Sequence, residues 1–227
     1  MTSLPAWPSA LAILAHPDDE SFGLGAVVST LADRGTRVSV LCFTRGEAST
    51  LHGVSGDLAE IRRDELRRAA DELGLDRVRL LAYPDGGLAD QPMEAVLADA
   101  RASAAEVSPA ALVAFDPSGI TGHPDHIAAT RIAVELGRGL GLDVLGWTLP
   151  RAVADRLRDE LGIGFLGHGP DDIDVVLDVD RTAQRRAIAC HASQAVPGSP
   201  LWRRLELLGP REHLRWLHRP ASTRSAG

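Results

Sequence analysis

The chain has 227 residues, 44% of them hydrophobic and 24% charged, with a net charge of −7 from 24 basic and 31 acidic side chains. Those values suit one soluble globular domain with a sizeable core. The acidic balance argues against nucleic acid as a partner. No apolar span is long enough for a membrane, and the start MTSLPAWPSA lacks the basic and apolar regions of a signal peptide, so the expected location is cytoplasmic.

The sequence contains no lysine and no asparagine. A lysine-dependent phosphate loop and a lysine Schiff base are thereby excluded, and so is N-glycosylation. Cys42 and Cys190 each lie in an apolar segment, where two buried free thiols are expected and no cysteine-based zinc site is.

Taken in chain order, the strand candidates are LAILA (11–15), RVSVLCFT (37–44), RVRLLAY (77–83), ALVAFD (111–116), DVLGWTL (143–149) and IDVVLDV (173–179). Between the earlier ones, GLGAVVSTLADRG, DLAEIRRDELRRAADELG, MEAVLADARASAAEV and HIAATRIAVELGRG show helical spacing. Steady alternation of this kind predicts an α/β fold, Rossmann-like, with three layers and a mainly parallel sheet in a single domain. The core is expected over about 11–194. The segments SPLWRRLELLG and REHLRWLHRP suggest a C-terminal helical extension over 195–220, followed by a frayed tail.

Ligands in such sheets bind beyond the carboxyl ends of the strands, which directs attention to the loops. The first strand runs into HPDDES, the second into RGEAS, the third into PDGG and the fourth into PSGITGHPDH. Turn chemistry accounts for PDGG alone, and early carboxylates such as Asp18, Asp19 and Glu20 are also what a helix N-terminus collects. Two His-Pro-Asp loops at one sheet edge exceed what capping needs. His16 and Asp19 can converge on one point, and His126 can reach it from the other loop. Two imidazoles and a carboxylate with one open position are the ligand set of a catalytic zinc, although iron(II), cobalt or manganese suit it too. Pro124 fits the first helical position, making His123 the N-cap and leaving Asp125 free to accept from an imidazole.

The segments AHPDDE and GHPDH, supported by TRGE, IRRDEL, YPDGGL and HASQ, resemble the PIG-L/LmbE-like zinc N-deacetylases over about residues 11–194. The resemblance implies a metal-dependent hydrolase that removes an acetyl group from an N-acetylglucosamine-type sugar. It implies that His16, Asp19 and His126 bind Zn²⁺, with Fe²⁺ or Co²⁺ as other candidates. It further implies that Asp18 is the general base and that a protonated His123, with Asp125 as its partner, stabilises the oxyanion or assists the leaving amine. Arg62 and Asp85 would contact the sugar, with Glu47 and His191 as further substrate-binding candidates. Arg62 with Glu65 is equally an ordinary helical ion pair, Asp85 a turn residue, Glu47 a turn cap and His191 a structural histidine. Glu20 is expected only to favour the helix dipole.

The expected partner is a small acetylated amino sugar, with neither nucleic acid nor membrane, and a homo-oligomer is allowed. Two other readings compete: a metal-dependent amidase acting on another acylated amine or thiol conjugate, and a Rossmann-like module that binds sugar or nucleotide without catalysis. The second would need a glycine fingerprint in the first turn. Gly23 and Gly25 lie beyond that turn and read as packing or pocket-shaping residues. His52, His168, His213 and His218 belong to no motif and are expected to be solvated or structural.

Overall fold

The computed structural model describes residues 4–51 and 54–221. His52 and the tail from Ser222 lie outside them. Seven strands form one sheet: β1 (Ser9–Leu14), β2 (Arg37–Thr44), β3 (Arg77–Tyr83), β4 (Ala111–Phe115), β5 (Asp143–Thr148), β6 (Val175–Asp178) and β7 (Arg211–His218). The helices are α1 (Asp19–Phe22), α2 (Gly25–Asp33), α3 (Leu58–Leu73), α4 (Met93–Val107), α5 (Gly119–Gly122), α6 (Pro124–Leu140), α7 (Arg151–Leu161), α8 (Thr182–Cys190) and α9 (Pro200–Leu208).

The strand order is β3-β2-β1-β4-β5-β7-β6, parallel through β5 and antiparallel at β7 and β6. β1 is buried at every position. Its alternate residues feed two cores, as a strand covered on both faces requires. Ala12 and Leu14 join Val27, Leu66 and Leu73 of α2 and α3, whereas Leu11 and Ile13 join Leu97 of α4 and Leu136 of α6. The chain runs outward from β1 to β3, then returns to place β4 on the other side of β1. That reversal puts the topological switch point between β1 and β4, the two strands that end in His-Pro-Asp loops.

One expectation about the elements needs correction. The segment REHLRWLH is a strand, inserted between β5 and β6, and the helical extension therefore ends with α9. Arginine, leucine and glutamate favour helix locally, but in period two Glu212 and Leu214 fall on one face and both are fully buried. Helix α7 was not anticipated at all. Cys42 is buried and Cys190 half-buried, both free thiols. No described helix is long and apolar enough to cross a membrane.

Leu214 pairs with Trp147 on one side and Val175 on the other. Leu214→Ala should therefore cost about 2–5 kcal/mol in urea denaturation, as for other buried leucines. A loss below about 0.5 kcal/mol would contradict the central placement of β7.

Candidate active site

The loops after β1 and β4 meet over a cavity of about 560 Å³ lined by His16, Asp18, Asp19, Arg62, Asp85, His123 and His126, with Phe22, Phe115, Ile120, Trp147 and Phe165 on its apolar side. Pro124 opens α6, and His123 caps it by accepting from the Asp125 backbone N–H at 3.2 Å on Nδ1. One turn of helix then brings the His123 and His126 rings to 4.7 Å between centroids. Gly23 permits close packing here, because a Cβ on it would strike the Phe115 ring.

His16 Nδ1 lies 3.2 Å from His126 Nε2 and 3.8 Å from an Asp19 oxygen, and Asp19 Oδ1 lies 3.2 Å from His126 Nε2. Ligand atoms about 2.0–2.1 Å from a tetrahedral metal are separated by about 3.3 Å, and the His16–His126 and His126–Asp19 pairs have that spacing, with His16 nearer the other Asp19 oxygen. The remaining nitrogens are engaged elsewhere. His16 Nε2 faces Asp125 Oδ2 at 3.2 Å and Asp85 Oδ1 at 3.1 Å, and His126 Nδ1 faces the Gly119 carbonyl at 3.2 Å. Each imidazole thus has an acceptor behind it and a lone pair for the centre, the arrangement that orients histidines on a metal. Two groups among the described residues have donor atoms all within 4.8 Å of one another, His16 with His123 and His126, and His16 with Asp85 and Asp125; Asp19 belongs to neither and joins the centre through its contacts to His126 and His16. In that second group both carboxylates already accept backbone N–H bonds, from Ala48 to Asp85 and from Gly86 and Leu88 to Asp125, which suits them to hold His16.

The electrostatics ask for a cation at this point. Burial disfavours charge on His16, yet hydrogen bonds to Asp125 and Asp85, with the charges of Asp19 and Asp18, push its pKa up to about 10. Burial acts on Asp19 as well, but His126 and His16 outweigh it and hold the carboxyl below its ordinary range. For Asp18 burial wins over Arg62, and its pKa rises to about 6.

Asp18 has φ 117, a conformation L residues rarely adopt, and its side chain caps nothing in α1. The cost is compatible with a structure that over-determines the residue. Its backbone N–H donates to Glu20 Oε2 at 2.9 Å, and Arg62 donates to its carboxylate at 2.9 Å and to the Pro17 carbonyl. Arg62 also donates to the Gly46 carbonyl at 2.6 Å, where a Cβ on Gly46 would collide with the guanidinium. The helix-cap reading of Asp18 therefore fails, and so does the Arg62–Glu65 ion pair. Glu65 instead accepts from the Ser193 backbone and hydroxyl at 2.8 and 2.6 Å.

Five other expectations change. Asp125 turns its carboxylate to His16 and meets His123 only through its backbone N–H. The surroundings of His123 work against its protonated form: burial, then the charges of His126 and His16, lower its pKa. Because its Nδ1 accepts, the proton of the neutral ring sits on Nε2. His191 is fully buried outside the cavity and pairs with Glu20 at 2.6 Å, so it is no substrate contact and Glu20 is no mere dipole partner. Glu47 stands one step behind the cavity, accepting from the Asp85 backbone N–H at 3.0 Å. His168 pairs with buried Asp116 at 2.9 Å, a structural role.

Sequence reasoning missed Ser49, which donates to Gln194 at 2.7 Å on the rim, and the aromatic wall with Arg204. Arg204 did leave a trace, since it interrupts the apolar stripe of Leu201, Leu205 and Leu208 on α9.

Comparisons with known proteins place the chain in a family. Residues 11–136 match the family model PIG-L, described as GlcNAc-PI de-N-acetylase. A 1D-myo-inositol 2-acetamido-2-deoxy-alpha-D-glucopyranoside deacetylase of Kineococcus radiotolerans is 31% identical, covering 92% of this chain and 77% of the relative, and its namesake in Rhodococcus opacus is 33% identical over 81% and 80%. Among solved structures, the N,N'-diacetylchitobiose deacetylase of Pyrococcus horikoshii superposes with a TM-score of 0.67 at 25% identity, covering 93% and 84%. The zinc-inhibited form of teicoplanin deacetylase Orf2 shares the fold, with a TM-score of 0.71 at 22% identity over 92% and 97%. With more than half its length matched by the family model, and both His-Pro-Asp loops meeting at the sheet's switch point, the chain belongs to the PIG-L family of de-N-acetylases.

Proposed function

We propose that this protein is a metal-dependent hydrolase that removes the acetyl group from an N-acetylglucosamine-type sugar or glycoconjugate. The observation that carries the reading is the convergence of His16 Nδ1, His126 Nε2 and Asp19, each imidazole backed by an acceptor, beside the half-buried carboxylate of Asp18, which is not one of those donors. His16, Asp19 and His126 would hold the ion, with Zn²⁺ the first choice for two imidazoles and a carboxylate, and Fe²⁺ or Co²⁺ able to use the same donors. When bound, a divalent cation supplies Lewis acidity, polarising the acetyl carbonyl and lowering the pKa of water from about 15.7 toward about 7.

The chain's own residues supply the rest. Asp18, fixed by Arg62 and raised by burial to about 6, accepts the proton of the attacking water. His123 offers its Nε2–H to the oxygen on which charge develops, or to the departing nitrogen, and can do so as a neutral ring. The C–O bond forms first; the C–N bond then breaks as the carbonyl re-forms and the proton taken by Asp18 passes to the nitrogen, and loss of the remaining acid proton to the amine gives acetate and the protonated amino sugar. Arg62 and Asp85 lie in the cavity wall where sugar hydroxyls would reach them, with Arg62 already donating to Asp18 and to the Gly46 and Pro17 carbonyls. The deacetylase relatives with inositol-linked and chitobiose substrates support an amino sugar as the class.

Asp18→Asn should keep the metal and lower kcat for acetate release by about 10²–10⁴-fold, the usual contribution of a positioned base. Unimpaired release by that variant would remove Asp18 from the role. No acetate from any N-acetylglucosaminide by the metal-loaded wild type would sink the proposed activity. Asp125→Asn preserves shape but loses the carboxylate behind His16, and competition with a chelator should show metal affinity weaker by about 10–100-fold. Unchanged affinity would mean that Asp125 does not orient His16.

A further inference from the structure

Arg204 is the one cation in the apolar half of the cavity, and its hydrogen-bonding capacity is almost unused. It projects from α9 with 9% of its surface exposed and lines the cavity beside Trp147, its guanidinium carbon 5.1 Å from the centre of that ring. A guanidinium carries five N–H donors. Among the described residues, Arg204 makes one hydrogen bond, from Nη2 to the Phe22 carbonyl at 2.5 Å, and its Nε is buried without a partner.

Glu212, the buried carboxylate beside Trp147, is already paired. Glu212 gives one oxygen to Arg181 and the other to Trp147 Nε1 at 2.6 Å. Arg181 spends its other donors on Gln184 and on the Gly209 and Arg211 carbonyls. Arg181 therefore has the partners a buried guanidinium needs, whereas Arg204 does not. Burial lowers the Arg204 pKa to about 10, which still leaves it charged at neutral pH. It lines the same cavity as Asp18, Asp19, His123 and His126, around the centre where the acetamide would be cut. A structural arginine that served only to pack on Trp147 would not need to line the cavity with all but one of its donors lacking a protein acceptor.

We propose that Arg204 is a specificity-determining residue that binds an oxyanion on the substrate, making the preferred substrate an N-acetylated amino sugar with an acidic aglycone. This rests on the deacetylase reading above. A carboxylate or a phosphate would satisfy the free donors, because both accept from a guanidinium fork. The aromatic wall would pack against the carbon atoms joining that group to the sugar.

Titration calorimetry on the metal-loaded protein tests this with ligands that cannot be turned over. The carboxymethyl glycoside of glucosamine is compared with its uncharged carboxamide, and glucosamine 1-phosphate forms a third arm that separates phosphate from carboxylate. The wild type should bind at least one acid about 10-fold or more tightly than the carboxamide, the effect expected of a charge-assisted hydrogen bond. Arg204→Gln should bring that ratio close to one, and Arg204→Lys, which keeps the charge, should retain part of it. Equal binding of acids and carboxamide by the wild type would overturn the assignment, as would a preference that survives in Arg204→Gln. If Arg204→Gln does not fold, the wild-type ratios and Arg204→Lys still decide. Acetate release from the neutral methyl glycoside of N-acetylglucosamine is measured in parallel. Failure there counts against the deacetylase, and failure of the binding ratios counts against Arg204.

Discussion

The site depends on His16 being held from both sides. Its Nε2 meets Asp125 and Asp85, which arrive from the loops after β4 and β3, while its Nδ1 meets Asp19 and His126. One imidazole in the loop after β1 thereby joins three strand ends around one point. It also explains the cluster of charge at a buried edge, because every carboxylate there has a hydrogen-bonded or cationic partner and none is left uncompensated. The parallel sheet provides the rigid frame, and its switch point provides the opening.

The same loops carry backbone strain where chemistry is proposed. Asp18 and Ile120 are two of the three non-glycine residues with positive φ among those described, and both line the cavity. At Asp18 the strain is balanced by Arg62, by the Glu20 carboxylate and, one layer further out, by the buried His191–Glu20 pair. His191, Glu20, Glu65 and Ser193 thus form a supporting tier between α3, α8 and the first loop. Substitutions in this tier act on the geometry of Asp18 without touching a ligand.

Much of this was legible in the sequence. The alternation of short apolar runs with amphipathic ones fixed the parallel core, since each run had both length and flanking turn residues. Pro124 after His123 located the N-cap, because few residues suit the first helical position so well. REHLRWLH was misread because its local propensity is helical, and the partners that make it a strand lie on β5 and β6, invisible to a local reading. The direction of the Asp125 carboxylate and the burial of His191 depend on loop packing that spacing does not encode. Arg204 could have been singled out as a charge on an apolar helical stripe, but the cavity it faces is formed by residues from β4, β5 and α1.

The central claim is that His16, Asp19 and His126 form one metal centre. X-ray absorption at the metal edge of the purified protein tests it most directly. Two imidazole nitrogens and a carboxylate oxygen at about 2.0–2.1 Å, at one ion per chain, are the expected signature. Three imidazoles would place His123 among the ligands in place of Asp19 and contradict the account, as would a centre without imidazole.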